Sequence, residues 1–135
     1  MSYLRHFGKF LSDDTPNDGD VTSNVHTVVP SDADRITDAD QKWHVFVVAT
    51  QSGGVTSPTT DVFIDTSFDG GTSWAQVAKI TQLTGDGNVT ELVELSALGP
   101  HLRARKVLGG ATKPNSTAIV TLASNGLHTL TDTGA

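Results

Sequence analysis

The sequence predicts an all-β protein, an antiparallel β-sandwich of jelly-roll or immunoglobulin-like type with an extended N-terminal arm. Three observations predict it. The 135 residues include 19 threonines and 14 valines, whose branched side chains suit a pleated sheet and crowd a helix. Of the 15 acidic residues, 13 are aspartates, which prefer turns, whereas glutamate prefers helices. Short apolar runs also recur between turn-forming clusters, as they do in sandwiches and small barrels.

Each predicted strand is a β-branched or aromatic run. In DVFIDTSF, for example, Val62 and Ile64 alternate with Phe63 and Asp65, so the two pairs lie on opposite faces. Six segments have this character: Lys42–Thr50, Asp61–Phe68, Trp74–Ile80, Asn88–Leu95, His101–Leu108 and Ser116–Ala123. The clusters QSGG, DGG, GDGN, LGP and GGATKPN separate them and favour turns. The segment Val21–Val29 is a further candidate strand.

The charge distribution divides the chain into three predicted parts. Residues 1–41 form an acidic N-terminal region, since the first 40 residues hold eight aspartates and only three arginines or lysines. This region is either an extended arm with long loops, partly ordered by a neighbour, or an ordinary edge strand with loops. Residues 42–127 contain the predicted strands and are expected to fold as the sandwich without the first 20 residues. Residues 128–135 are expected to form a frayed polar tail.

Composition disfavours several classes of protein. The chain has no cysteine, so it contains no disulfide, thiolate metal site, iron–sulfur cluster or cysteine nucleophile. Its net charge of −6 disfavours binding to nucleic acid, where neutralisation of phosphates dominates affinity. No apolar run approaches the ~20 residues that span a bilayer, and the N-terminus lacks the features of a signal peptide. We therefore expect no membrane partner, and synthesis in the cytoplasm.

The sequence SFDGGTSW, residues 67–74, lies between two predicted strands and predicts a hairpin turn. Asp69 can accept backbone hydrogen bonds across the turn, and Gly70 and Gly71 allow positive φ. Trp74 can fold over the turn and cover it. The motif resembles the Asp-box of sialidases and other β-propellers, Ser-x-Asp-x-Gly-x-Thr-Trp, except that serine replaces the threonine. The matching residues are Ser67, Asp69, Gly71 and Trp74. The Asp-box is a structural turn in its own family, and a sialidase would need several copies and an arginine triad.

No arrangement of residues in the sequence indicates catalysis, and we expect no enzyme. The five histidines form no HExxH or HxH pair, and the P-loop, GxSxG and GxGxxG motifs are missing. Asp61 and Asp65 are a candidate carboxylate pair, but residues i and i+4 on a strand lie about 13 Å apart, too far for a glycosidase. We expect no cofactor. Calcium in the aspartate-rich loops Asp13–Asp20 and Asp32–Asp40 is left open, although neither loop matches the calcium-binding pattern.

Three basic residues, Arg103, Arg105 and Lys106, lie together in HLRARKVL. Alternation places the two arginines on one face of the strand and Lys106 on the other. Two interpretations remain open. In the first, the strand pairs with NVTELVEL, so that its charges lie opposite Glu91 and Glu94. In the second, the three residues form a basic patch that docks on an acidic partner, such as the acidic arm of another copy.

The order of these segments resembles that of small β-sandwich proteins of tailed-phage virions. Those proteins carry an S-x-DGG-x-x-W hairpin, an LGP-x-x-R-x-R start of a strand and a Thr/Val-rich last strand, as SFDGGTSW, LGPHLRAR and STAIVTLA do here. The resemblance covers residues 42–126. It implies a non-enzymatic virion protein, either a capsid decoration or cement protein on the outside of the shell or a head-fibre component. Its implied partners are the major capsid protein and copies of itself, for example in a trimer.

Two interpretations are open for the aromatic residues of the N-terminal region, which are Tyr3, Phe7 and Phe10. They either anchor the arm in a groove of a neighbouring molecule or close one end of the sandwich. The alternative function for the whole chain is a carbohydrate-binding module or a tail or neck accessory module, since such modules are sandwiches as well. A sugar-binding face would need free aromatic rings, and the prediction assigns Trp74 to the hairpin and Trp43 to the core.

Overall fold

The computed structural model describes residues 4, 6–30 and 41–134, and these residues form ten β-strands and no helix. Within them, no helix has the length and apolar character that crossing a membrane requires. The strands are β1 (His6–Asn17), β2 (Val21–Thr22), β3 (His26–Pro30), β4 (Trp43–Ser52), β5 (Thr59–Ser67), β6 (Ala75–Lys79), β7 (Gly87–Glu94), β8 (His101–Gly109), β9 (Asn115–Ser124) and β10 (His128–Asp132). The six strands predicted after residue 41 are all present, each within two residues of its predicted ends.

Two antiparallel sheets pack against each other, so the predicted β-sandwich is confirmed. The four-stranded sheet has the order β1-β9-β4-β7. The six-stranded sheet has the order β10-β3-β8-β5-β6, and β2 pairs with β8 outside that path. Only the β5–β6 hairpin pairs strands that follow each other directly within the described chain. The other pairs join strands that are distant in sequence, because the chain crosses repeatedly between the sheets.

The core forms because alternate residues of the strands face the opposite sheet. In β4, Val45 and Val47 are buried, whereas Phe46 between them is exposed. The other buried members of the core are Phe10, Leu11, Val28, Ala49, Val62, Ile64, Ile80, Leu95, Leu102, Ala104, Ala118, Val120 and Leu122. Each large aliphatic side chain of this kind contributes about 1.5–3 kcal/mol when fully buried, so this cluster dominates the stability of the fold.

The N-terminal region is built into the sandwich and is not a separate arm where the structure describes it. β1 pairs with β9 and is an edge strand of the four-stranded sheet. A bulge between Lys9 and Leu11 allows the consecutive residues Phe10 and Leu11 both to enter the core. The region therefore takes the second of its two predicted forms, the edge strand with loops. That the sandwich folds without its first 20 residues stays a prediction, although such a deletion removes Phe10 and Leu11 from the core.

Some residues of the predicted arm lie outside the described residues. These are Tyr3, with the other residues of 1–3, and residues 5 and 31–40. At the other end of the chain, the prediction of a frayed tail is wrong for residues 128–132, which form β10 and pair with β3. The polar composition of β10 reflects its position at the edge of the six-stranded sheet.

His128, the first residue of β10, is partly buried where the two sheets meet. Its Nδ1 lies 2.8 Å from the Ser124 hydroxyl, and its ring packs edge-on against Trp43, with 5.1 Å between the centroids. Burial lowers the pKa of His128 below its ordinary value of 6.5; a backbone hydrogen bond opposes the shift, and repulsion from His6 adds to it.

Lys106 is fully buried between the two sheets, on the face of β8 opposite the two arginines, as alternation predicted. Its ammonium group lies 2.5 Å from a carboxylate oxygen of Asp13 on β1. It also donates hydrogen bonds to Asn17 Oδ1 at 3.2 Å and to the Ser116 carbonyl at 3.0 Å. The charge is therefore both paired and hydrogen-bonded, as a buried charge requires. This bridge ties β1 and β9 of one sheet to β8 of the other.

We predict that Asp13→Ala destabilises the protein by about 3 kcal/mol, because removing one partner leaves the Lys106 charge buried without compensation. The free energy of unfolding in urea measures the effect. Asp14→Ala is the matched control, since Asp14 is exposed, and its effect should stay within about 0.5 kcal/mol. Equal stability of the two variants would show that the bridge contributes nothing to the fold.

We also predict a pH-dependent loss of stability that His128 causes. Because the pKa of His128 is lowered in the folded state, the unfolded chain takes up a proton first as the pH falls below about 6.5. Stability is therefore lost between pH 6.5 and the lower folded pKa, and this contribution is constant above that window. The melting temperature, measured from pH 8 to pH 5, should fall less steeply for His128→Gln than for the wild type. Parallel curves would contradict the assignment.

Candidate functional site

The hairpin between β5 and β6 brings together the residues predicted for a structural turn: Ser67, Asp69, Gly70, Gly71 and Trp74. Asp69 Oδ1 accepts hydrogen bonds from the backbone N–H groups of residues 72 and 73 at 3.1 and 2.8 Å. Ser67 Oγ accepts one from the Gly71 N–H at 2.9 Å, and Trp74 Nε1 donates to the Gly71 carbonyl at 3.0 Å. Gly70 and Gly71 have φ values of 76° and 94°, which favour glycine. These contacts hold the turn together.

The Asp69 carboxylate is committed to this turn. Hydrogen bonds from the Ser73 backbone and from the Ser67 hydroxyl, at 2.7 Å, hold the pKa of Asp69 below its ordinary value of 3.8. A carboxylate stabilised in its charged form is a poor general acid at neutral pH. The contacts of this carboxylate are those that hold the turn together.

Beside the hairpin, charged and aromatic residues form a cluster on the outer face of the six-stranded sheet. We call this the arginine cluster; it consists of Phe63, Asp65, Trp74, Arg103 and Arg105. Asp65 points away from the core and is nevertheless only 2% exposed, because the two guanidinium groups cover it. Arg103 Nε donates to Asp65 Oδ2 at 2.9 Å. Arg105 binds Asp65 with two nitrogens, Nε to Oδ2 at 2.6 Å and Nη2 to Oδ1 at 3.2 Å.

The register of β5 and β8 explains this arrangement. Arg103 is the direct cross-strand partner of Asp65, and Arg105 is the partner of Phe63. The guanidinium carbon of Arg103 lies 4.3 Å from the centroid of the Trp74 ring, and that of Arg105 lies 4.8 Å from the Phe63 ring. Both arginines are therefore held by a carboxylate and by an aromatic face at the same time.

The predictions for the basic strand need correction. Arg103 and Arg105 share the outer face, as alternation predicted, but Lys106 lies in the core and contributes to no surface patch. The pairing with the strand that carries Glu91 and Glu94 is wrong, because β7 belongs to the other sheet. The acid that faces the arginines is Asp65, which the sequence offered only as a member of a carboxylate pair.

The outer face of the four-stranded sheet carries exposed apolar side chains, which we call the apolar face: Phe7, Phe46 and Leu92. Phe46 on β4 is the direct partner of Leu92 on β7, and they are 43% and 55% exposed. Phe7 on β1 is 75% exposed. Phe10, in contrast, belongs to the core and packs against His26 with 5.9 Å between the ring centroids. Phe10 therefore fits the interpretation that these aromatic residues close the sandwich. Phe7 is exposed and remains available for contact with a neighbouring molecule.

The described residues contain no group of three or more histidine, aspartate or glutamate side chains placed to hold a metal ion. In the first aspartate-rich loop, Asp13 is bound to Lys106, and Asp20 accepts a hydrogen bond from the Leu108 N–H at 2.9 Å. The second loop, Asp32–Asp40, lies outside the described residues.

Sequence reasoning missed the apolar face and the central role of Asp65. A signal for the first was present, since Phe46 and Leu92 both stand at positions that alternation turns away from the core. No local signal identifies Asp65 as the partner of both arginines, because the pairing of β5 with β8 joins segments about 40 residues apart.

No protein-family model matches the chain, and no curated protein matches it.

We predict that Asp69→Ala lowers the melting temperature at neutral pH, because two backbone N–H groups lose their acceptor. Asp69→Asn is the matched control, since its amide oxygen can accept the same two bonds. Because the pKa of Asp69 is lowered, its contribution is complete above pH 3.8 and is lost as the pH falls through the folded pKa. The Ala variant and the wild type should therefore converge in acid. A normal melting temperature with loss of a ligand would show that the hairpin is a binding site.

Proposed function

We propose that the protein is a non-enzymatic structural component of a tailed-phage virion, a decoration or cement protein on the outside of the capsid. Its partners are the major capsid protein and neighbouring copies of itself, for example in a trimer. In this proposal it is made in the host cytoplasm and binds a shell that has already assembled. The resemblance of its hairpin, its LGPHLRAR segment and its last long strand to those of virion sandwich proteins supports this class of function.

The apolar face is the observation that carries the proposal. Phe46 and Leu92 lie side by side on a flat sheet surface, and their exposure leaves apolar area in water. Polar contacts lie on the same face: His44 is 3.8 Å from Glu94, and the hydroxyl groups of two threonines further along this sheet are 2.6 Å apart. An apolar centre with a polar rim is the usual composition of a protein–protein interface.

The polar residues that the sequence singled out support the same interpretation. Asp65 is covered by two arginines, Asp69 is bound within the hairpin, and Lys106 is buried against Asp13. Each of these charged groups holds strands or turns in place. Because these charged groups serve the fold, contacts with partners would be made by the exposed surfaces of the molecule. Such contacts suit a protein that strengthens an assembly.

The alternative functions have less support from the described residues than the capsid proposal. A carbohydrate-binding face built on the two tryptophans is disfavoured by their contacts. Arg103 lies over the ring of Trp74, and Trp43 is half-buried against His128. A tail or neck accessory module would use the same kind of apolar contact as a capsid protein, and only its position on the virion distinguishes it.

We predict that the double variant Phe46→Ser, Leu92→Ser binds capsid shells at least ~10-fold more weakly than the wild type, because the centre of the contact is lost. Binding is measured by co-sedimentation with empty shells assembled from the capsid protein that the same genome encodes. Val29→Ser is the matched control, since Val29 is 53% exposed but lies on β3 of the other sheet.

Wild-type occupancy of the shells by the double variant would show that the apolar face is not the contact. No binding of the wild type to shells, together with antibody labelling of the tail or neck of whole virions, would replace the capsid assignment by the accessory one.

A further inference from the structure

The arginine cluster places two cations against one carboxylate on an acidic molecule. The chain has a net charge of −6, yet Arg103 and Arg105 both bind the carboxylate of Asp65. The Lys79 ammonium lies beside the cluster, 5.9 Å from the centroid of the Phe63 ring. Among the residues that the structure describes, two other acids lie on this side of the sheet. Asp61 accepts a hydrogen bond from Gln82, and Asp69 is committed to the hairpin.

Both guanidinium groups are fixed before any ligand arrives. Asp65 holds them from the side of the sheet, and the rings of Trp74 and Phe63 lie against their faces. Their side chains are still 26% and 29% exposed. Because these side chains are already held in place, binding of a ligand immobilises few further side-chain bonds. The entropic cost of binding is therefore small.

Most of the N–H groups of the two arginines remain without an acceptor in the described part of the chain. Arg103 uses only Nε to bind Asp65, and Arg105 uses Nε and one terminal nitrogen. Guanidinium groups with free terminal nitrogens bind planar anions through two parallel hydrogen bonds. Arg105 already shows this geometry toward Asp65.

We propose that Arg103 and Arg105 together bind the carboxylate of an aspartate or glutamate side chain that an acidic segment of a partner protein presents. A single carboxylate would balance part of the excess positive charge at the cluster. A nucleic acid would instead bring a row of phosphates toward Asp61, Asp69 and a surface of net negative charge, which repels it. The paired guanidinium groups select a carboxylate, and the negative charge of the surrounding surface restricts the site to a compact acidic ligand.

This site does not depend on the proposed function. It lies on the six-stranded sheet, whereas the apolar face lies on the four-stranded sheet. The binding of an acidic peptide to the purified protein can be measured without any capsid shell. Failure of either proposal therefore leaves the other intact.

The test titrates purified protein with a capped tetra-aspartate peptide while NMR records the Nε–Hε signals of its arginines and the indole N–H signals of its tryptophans. We expect saturable shifts at Arg103, Arg105 and Trp74, and none at Trp43 in the other sheet. Added salt should weaken the binding. The matched tetra-asparagine peptide should cause no shift, and inorganic phosphate should bind more weakly than the acidic peptide.

Arg103→Gln is the informative variant, because Asp65 keeps its two hydrogen bonds to Arg105 and the fold is retained. We expect its affinity for the acidic peptide to fall at least ~10-fold. Lys113→Gln is the control, since it removes the same charge from an exposed residue paired with Asp20 outside the cluster. It should bind the peptide as the wild type does.

Three results would overturn the proposal. The first is a folded wild-type protein whose arginine signals do not move at any peptide concentration. The second is tighter binding of phosphate than of the acidic peptide. The third is an equal loss of affinity in Arg103→Gln and Lys113→Gln, which would show that only net charge matters.

Discussion

The buried ion pair between Lys106 and Asp13 is the constraint on which the rest of the structure depends. A charged ammonium between two sheets is tolerated only where it is paired and hydrogen-bonded; here the Asp13 carboxylate balances the charge, and Asn17 Oδ1 and the Ser116 carbonyl accept hydrogen bonds. This requirement fixes the position of β1 against β9 and β8. It also fixes which face of β8 is outside, since a shift of one residue would expose Leu102 and bury Arg103. The outer arginine cluster therefore lies on the face of β8 opposite the bridge and the buried Leu102 and Ala104.

The strands between β4 and β9 could be predicted from the sequence because local physics determines them. Runs of valine, isoleucine and threonine form strands, and clusters such as GDGN and GGATKPN interrupt them. The alternation of β8 was also predicted, as was the hairpin at SFDGGTSW, since Asp69 and the two glycines that follow it favour a tight turn. In each case residues that are close in sequence carry the whole signal.

The N-terminal and C-terminal strands could not be predicted with the same certainty, because they are edge strands. β1 breaks its alternation at a bulge, where Phe10 and Leu11 both turn inward, and β10 presents polar side chains to water. The pairing of the strands within the sheets could not be predicted either. β7 precedes β8 in sequence and carries two glutamates, but the chain crosses between the sheets there, so Asp65 on β5 meets the arginines.

The two candidate contact surfaces point in opposite directions, so each would meet a different partner. The apolar face lies on the outside of one sheet and the arginine cluster on the outside of the other, so one flat partner cannot cover both. The apolar face would bind the surface of a partner whatever the charge of that surface. A fixed pair of arginines would then select, among neighbouring molecules, one that presents an acidic side chain on the opposite side. Because the two contacts differ, the protein would link unlike surfaces, and the chemistry of each contact can be altered without disturbing the core that separates them.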